Sequence, residues 1–404
     1  MGKFTIFTLG CRTNIAESEK LKALLISKKF EYTPNIYESD YIFLNTCTVT
    51  HKADRDSKKI FNRIKKINER AKIFITGCAI YLFKEDERIR ILNFNDLLKE
   101  FDEKDGNINV LPPEESNHAR YFLKIQEGCD YRCTFCIVPM RRGKSRSYDI
   151  STLVKEVQIA VSKGYKEIVL TGTQIGDYGK DIDKNISLRT LLEKLLSLNF
   201  DFRVRLSSLH PSHIYKIYDL LTEEKIVPHL HIPLQSGSEK VLRDMKRPYT
   251  IKFYDNILNS IMKLKRRFSI GTDLIIGFPT ETKKEFLETK RYIEKSPFSY
   301  IHIFSYSKRE GTEAAKLKEI DKKELKERME IMKEIDKKKR EKFLNSLLGN
   351  ILEPVYEKKE GDFLKGLSEY GFKVKFRGNG IRKGELVKVY IEKIENLLLS
   401  GFKI

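Results

Sequence analysis

The stretch Lys124-Ile-Gln-Glu-Gly-Cys-Asp-Tyr-Arg-Cys-Thr-Phe-Cys-Ile-Val-Pro-Met-Arg-Arg-Gly-Lys-Ser-Arg-Ser147 decides how the rest of the chain is read. Within it Cys129, Cys133 and Cys136 are spaced Cys-x3-Cys-x2-Cys, directly after an apolar run, Tyr121 to Ile125, that reads as a strand. Three thiolates on one tight loop can hold three irons of a cubane cluster. The fourth iron is then left without a protein ligand, much as a catalytic zinc keeps one open position. A ferredoxin run would supply a fourth Cys a few residues on, followed by Pro, and none follows here. For the triplet alone, a partial zinc site or three unrelated thiols remains the competing reading.

Upstream, one pattern occurs three times: an apolar strand with a Cys at its C-terminal end. Lys3 to Cys11, Tyr41 to Cys47 and Lys72 to Cys78 are the three copies. Helical patterns lie between them, Glu17 to Lys28 and Asp54 to Glu69, the second with Ile60, Ile64 and Ile67 on one face. Alternating strands and helices predict a doubly wound parallel sheet, whose ligands sit beyond the carboxyl ends of its strands. Cys11, Cys47 and Cys78 are therefore expected at one sheet edge, as ligands of a second three-thiolate cluster. A single Cys at a strand end is ordinarily a small core residue, but three at equivalent positions are not explained that way.

Residues 107–118 read as a linker from their prolines and polarity. Six strand-like runs follow: Tyr121–Gln126, Glu167–Gly172, Phe202–Leu209, His229–Leu234, Phe268–Gly277 and Tyr300–Ser305. Helix candidates between them, such as Ser151–Lys163, Leu188–Leu198 and Thr282–Lys295, make these βα units of a partial (β/α)6 barrel, with chemistry at the C-terminal strand ends. Asp321 to Phe343 reads as a long, charged, solvated helix. From Leu347 short alternating runs with Gly-rich turns predict a small β-barrel, in which Tyr370, Phe372, Phe376, Arg377 and Arg382 are candidates for stacking and phosphate contact. The expected domains are 1–112, 113–345 and 346–404.

Composition narrows the class. Lys and Arg number 77 against 57 Asp and Glu, a formal charge of +20, compatible with a polyanionic partner. Six Cys without a secretory signal point to reduced thiols used as ligands and to a cytoplasmic protein. No apolar run approaches membrane-spanning length.

With both triplets placed, the chain resembles the radical S-adenosylmethionine (SAM) methylthiotransferases over essentially its full length. Thr8-Leu-Gly-Cys-Arg-Thr-Asn14 with Glu17-Ser18, Asn45-Thr-Cys-Thr-Val-Thr50 and Gly128 to Ser147 are similar to that family's cluster motifs. Leu170 to Gly179, Arg205 to Pro211, His231 to Gly237, Asp273 to Glu281 and His302 to Thr312 resemble its later barrel motifs, and the tail resembles a TRAM domain, an RNA-binding module. Asn-Thr-Cys-Thr-Val-Thr followed by Ala53-Asp54 looks like the MtaB-type branch, which modifies threonylcarbamoyladenosine in the tRNA anticodon stem-loop. The MiaB-type branch (isopentenyladenosine) and the RimO-type branch (a ribosomal-protein aspartate) usually carry other residues there. Arg12-Thr13, in place of the common Lys-Val, and a short N-terminal domain after Cys78 depart from the pattern.

The resemblance implies two [4Fe-4S] clusters and SAM as cofactors. The cluster on Cys129, Cys133 and Cys136 would cleave SAM to a 5′-deoxyadenosyl radical, and that on Cys11, Cys47 and Cys78 would carry the sulfur to be methylated. An aromatic C–H at adenine C2 resists polar acid–base removal, hence the radical cofactor. Thr171, Gly172 and Gln174 would meet the methionyl part of SAM, Ser207 and Ser208 its ribose, and Gln235 and Asp273 SAM or the base. Arg141, Arg142, Lys144 and Arg146 would reach RNA phosphates, and Arg55, Lys59, Arg63 and Lys66 could add a basic helix face. An electron donor of flavodoxin or ferredoxin type is implied; the sulfur donor is not. A protein-side-chain methylthiotransferase and a non-catalytic cluster-bearing RNA sensor are the alternatives.

Overall fold

The computed structural model describes residues 2–102 and 118–404. The expected linker, apart from His118, and the boundary at 112 lie outside the described residues. The N-terminal strands β1 (Lys3–Thr8), β2 (Glu31–Tyr32), β3 (Tyr41–Thr46), β4 (Lys72–Gly77) and β5 (Ile89–Ile91) form a parallel sheet in the order β2-β1-β3-β4-β5. Helices α1 (Arg12–Ser27), α2 (His51–Ile67) and α3 (Phe94–Phe101) cover both faces. Side chains alternate along each strand. Phe4, Phe43 and Phe74 therefore meet Leu21, Leu24 and Leu97 of α1 and α3, while Ile42, Ile73 and Ile75 meet Ile64 of α2. The sheet is doubly wound, and β1, β3 and β4, the strands that precede the three Cys, are adjacent in it.

The central domain contains β6 (Tyr121–Glu127), a short antiparallel edge strand β7 (Arg146–Ser147), and the parallel strands β8 (Glu167–Gly172), β9 (Arg203–Leu206), β10 (His229–His231), β11 (Ser269–Ile276) and β12 (Tyr300–Ser305). They pair in the orders β7-β6-β8-β9 and β10-β11-β12. The two halves are joined where Leu209 N donates to His231 O at 2.9 Å. Six parallel strands thus make an open barrel. Helices α4 (Val138–Arg142), α5 (Ile150–Ser162), α6 (Leu188–Leu196), α7 (Glu239–Asp244), α8 (Ile251–Met262) and α9 (Lys283–Lys295) fill the connections.

Helix α10 (Lys322–Asn345) corrects one expectation. It is not simply solvated: Arg328, Met332, Ile335 and Leu344 are buried, Met332 and Ile335 in the barrel core and Leu344 in the core of the C-terminal domain. That domain comprises β13 (Ile351–Leu352), β14 (Val355–Glu360), β15 (Phe363–Leu367), β16 (Lys373–Arg377), β17 (Val389–Glu395) and β18 (Leu398–Lys403). It curls as a sheet ordered β13-β17-β18-β16-β15-β14, antiparallel except between β16 and β18. Among the described residues no helix is long and apolar enough to cross a membrane.

Candidate active site

Each cysteine lies just past the carboxyl end of a strand. Cys11 immediately precedes α1, while Cys47 and Cys78 follow β3 and β4 and are buried. The approach is close enough to require Gly10, whose φ is +98°: a Cβ there would stand 2.6 Å from Cys47 Cβ. Two amides fix the edge. Asn14 Nδ2 donates to Asn45 Oδ1 at 2.9 Å and to Thr46 O at 2.8 Å, and Asn45 Nδ2 returns a bond to Asn14 O at 3.0 Å. Burial pushes the Cys47 thiol up to about 11, and the nearby Cys78 and Cys11 add to that.

The second triplet lies on the loop after β6. Gly128, with φ +75°, lets that loop pass the backbone of Lys144, whose O would lie 1.9 Å from a Cβ. Buried Gln126 fastens the loop: Nε2 donates to Glu127 O, Gly128 O and Ser145 Oγ, all at 2.8 Å, and Oε1 accepts from Gln174 N at 2.8 Å. Cys136 N donates to Cys133 O at 3.0 Å, and Thr134 is tied to the backbone of Asp244 and Met245. Burial raises the Cys129 thiol to about 11 and that of Cys136 to about 12.

The donor chemistry can be tested against a metal. Among the described residues, His231, Asp273 and His302 form the one set of three potential ligand atoms within 4.8 Å of one another. Neither cysteine triplet is gathered that tightly. A single zinc with bonds of ~2.3 Å would hold its sulfurs about 3.8 Å apart. Three sulfurs to a set, spread too widely for one ion and with no fourth ligand grouped with them among the described residues, fit a cubane cluster with one open iron. Thiols raised this far also stay protonated at neutral pH until a metal displaces the proton.

A cavity of about 220 Å³ lies where the domains meet, between Cys136 and Ile137, Gln235 and Asp273 of the barrel and Val49 and Thr50 just beyond Cys47. Although burial opposes it, His231 holds the Asp273 carboxyl well below the usual carboxylate range, at 2.9 Å, helped by His302 at 3.3 Å. Of the residues expected to meet SAM, Gln235 and Asp273 share this wall with Cys136. Thr171, Gly172, Gln174, Ser207 and Ser208 do not line it. Thr171 is buried, Ser208 is exposed, and the buried Ser207 Oγ has no hydrogen-bond partner among the described residues.

The basic residues divide. Lys144, Arg146, Arg377 and Arg382 are exposed, as are Arg55, Lys59, Arg63 and Lys66 on α2. Arg142 is not available to RNA: its side chain is 10% exposed and bonded to Glu17 at 2.6 Å. Arg141 lies over the ring of Tyr81, 3.6 Å from its centre. Phe372 and Phe376 are likewise removed from any stacking role, being core residues of the C-terminal sheet. The exposed aromatic pair of that sheet is instead Tyr390 and Phe402, with ring centres 5.5 Å apart.

Three further residues escaped the sequence. Arg247 Nη1 donates to Cys133 Sγ at 3.2 Å. Buried Arg309 reaches from the barrel to Thr48 and Asp54, both at 2.6 Å, and to Tyr81 at 3.0 Å. Glu17, noted only as part of a motif, is fully buried between Lys124 at 2.7 Å and Arg142. Burial opposes its charge, yet these two cations hold its carboxyl down to about 2. None carries a local signal, because each partner is distant in sequence.

An open six-stranded parallel barrel with a three-cysteine loop after its first strand defines a radical SAM protein, and residues 123–293 match the Radical SAM superfamily. Residues 3–95 match uncharacterized protein family UPF0004. The threonylcarbamoyladenosine tRNA methylthiotransferase MtaB of Aquifex aeolicus is 37% identical over 90% of this chain and 92% of its own length. The protein of that name from Bacillus subtilis is 34% identical over 97% and 94%. The tRNA-2-methylthio-N(6)-dimethylallyladenosine synthase of Malacoplasma penetrans is 34% identical over 98% and 88%. In fold the chain is similar to the radical SAM methyltransferase TsrM of Kitasatospora setae, with a TM-score of 0.55 at 11% identity, covering 78% of this chain and 76% of that one. The chain belongs to the radical SAM tRNA methylthiotransferase family.

Proposed function

We propose that this protein converts threonylcarbamoyladenosine beside the tRNA anticodon to its 2-methylthio derivative. The observation that carries the proposal is the cavity between the domains, walled by Cys136 of one triplet and by Val49 and Thr50 just after Cys47 of the other. A base placed there would lie beside Cys136 and beside the segment that follows Cys47. Cys129, Cys133 and Cys136 would hold the cluster that binds SAM, and Cys11, Cys47 and Cys78 the second. When bound, these groups supply the hydrogen-abstracting radical and the methylated sulfur that an aromatic C–H replacement needs.

The chain's own residues supply position and exclusion of water. Ile137, Val138, Ile275 and Phe304 present apolar surface, while Gln235 and Asp273 offer polar atoms to orient a ligand. Arg309, gripping Thr48 and Asp54, fixes the loop after Cys47 against the barrel. Both residues lie in or near the stretch on which the MtaB-type resemblance rests. Relatives named for isopentenyl-type adenosines match at comparable identity, so that substrate is the second reading. An electron donor of flavodoxin or ferredoxin type and a cytoplasmic setting complete the proposal.

Mass spectrometry of nucleosides in tRNA from cells lacking the protein tests it. Loss of methylthio-threonylcarbamoyladenosine with accumulation of its precursor is expected. Loss of the methylthio-isopentenyl nucleoside instead would transfer the function to the second reading.

The C-terminal sheet is proposed to hold the tRNA. Arg377 is paired in register with Phe402, so cation and exposed ring lie side by side, with Tyr390 against that ring. Stacking of a base on an aromatic ring contributes ~1–3 kcal/mol. Changing Tyr390 and Phe402 to Ala together is expected to weaken binding of an anticodon stem-loop about tenfold or more, while SAM cleavage without RNA continues. Unchanged affinity in a filter-binding titration would remove this surface from the RNA interface.

A further inference from the structure

Among the described residues two guanidinium groups donate to the cysteine triplets, one to each, and both come from the barrel. Arg142, the last residue of α4, crosses into the N-terminal domain. Its Nε donates to Cys78 Sγ at 3.0 Å, Nη1 to Glu17 Oε1 at 2.6 Å and Nη2 to Asn14 Oδ1 at 3.0 Å. Asn14 Oδ1 also accepts from Cys11 Sγ at 3.4 Å. One buried cation therefore touches the third cysteine of the set and the helix that begins beside the first. Arg247 has the corresponding place in the other triplet, its Nη1 on Cys133 Sγ and its Nε on Tyr249 Oη at 2.9 Å.

An N–H donor to a ligating sulfur withdraws electron density from the cluster. It favours the reduced, more negative state and raises the potential, and a donor that also carries positive charge adds a Coulomb contribution in a half-buried site. The ion pair of Arg142 with Glu17 uses Nη1 and Nη2. The Nε–sulfur bond is additional to it. We propose that Arg142 is a positioning residue that raises the reduction potential of the cluster on Cys11, Cys47 and Cys78, supplied across the domain interface. That poise then exists only while the N-terminal domain is docked on the barrel. Arg247 acts in the same way on the cluster of its own domain. The inference rests on the cluster assignment made under the proposed function.

Arg142→Lys keeps a positive charge near Glu17 but loses the planar fork whose Nε reaches Cys78 while Nη1 and Nη2 hold Glu17 and Asn14. The experiment is an EPR-monitored redox titration of R142K in the full chain with Cys129, Cys133 and Cys136 changed to Ala, where the N-terminal cluster alone remains. The midpoint is expected to move to lower potential at unchanged iron content. In the complementary background, with Cys11, Cys47 and Cys78 changed to Ala, R142K is expected to leave the midpoint in place and R247K to lower it. An unmoved midpoint in the first background, or an equal shift of both clusters, overturns the proposal. If R142K loses iron, Arg142→Gln combined with Glu17→Gln retains an amide donor beside a neutral partner. A midpoint for that pair nearer the parent than for Arg142→Met with Glu17→Gln supports the proposal, and equal midpoints overturn it. A parent chain with no cluster signal in either background overturns the cluster assignment itself, and this inference with it.

Discussion

Changing Cys129, Cys133 and Cys136 together to alanine is expected to abolish both SAM cleavage and tRNA methylthiolation, while iron falls from about eight to about four per chain. The loss should be complete, because all three thiols of the loop are removed together. The one compact set of ligand atoms among the described residues, His231, Asp273 and His302, has its own bonds, with His231 bonded to both Tyr300 and Asp273. The fold should survive. The loop is held by Gln126, by Ser145 N on Asp130 and by Thr134 on the backbone after α7, none of which uses a thiol. A melting temperature close to that of the parent would separate loss of chemistry from loss of structure. The reciprocal variant, with Cys11, Cys47 and Cys78 changed to Ala, should retain production of 5′-deoxyadenosine and make no methylthio nucleoside. If the first variant still methylthiolates tRNA, the assignment of the two triplets is wrong. Liquid chromatography of the products, beside an iron assay, reads all of these outcomes.

What the sequence disclosed follows from whether the signal was local. Strand runs ending in Cys11, Cys47 and Cys78 carry their own positional information, so a parallel sheet brings together thiols far apart in the chain. Residue 142 shows the opposite case. In sequence it belongs to a run of Arg and Lys that looks like a phosphate-binding surface, and only a carboxylate 125 positions away turns it inward. Phe372 and Phe376 bore a legible warning: with Val374 they occupy alternate positions, so all three must share a face, and that face is the core. Helix α10 hides its apolar stripe, Leu325, Met329, Met332 and Ile335, among Lys and Glu, and the stripe is satisfied by the barrel rather than by a partner helix. Strand β15 carries little signal of its own, because Gly366 interrupts a short run. That glycine is needed where a Cβ would meet Val355 O at 2.5 Å. Arg247 had no signal at all.

At the other end of the barrel strands, the second large effect is expected from Glu167. This carboxylate opens β8, is fully buried, and accepts from Arg205 Nε at 2.6 Å and Arg203 Nε at 2.7 Å, with Arg120 at 3.8 Å. The arginines spend their remaining donors on the C-terminal domain. Arg203 reaches Glu353 O at 2.8 Å, Arg205 reaches Ser368 O at 2.8 Å and Glu369 O at 3.1 Å, and Arg120 reaches Glu357 at 3.1 Å. Glu167 is thus the anion that lets three cations bridge two domains. Changing it to Ala leaves Arg205, itself fully buried, without a counter-charge, a loss of ~3–5 kcal/mol for a buried pair broken on one side. The loss should appear first as undocking. Faster amide exchange in β13 to β15 and earlier tryptic cleavage after α10 are expected, with weaker tRNA binding as a consequence. Acid should act in the same direction. Burial opposes the Glu167 charge, but Arg205 and Arg203 hold the folded carboxyl far below the unfolded value of ~4.3. Its contribution is therefore complete above that value and is lost as pH falls toward the folded pKa. The parent chain should lose stability progressively below about pH 4.3, and Glu167→Gln, which cannot titrate, should lose less over that range after starting lower. Equal acid slopes for the two proteins, or unchanged exchange in the C-terminal sheet of Glu167→Ala, would remove Glu167 from the interface that positions the proposed RNA-binding surface.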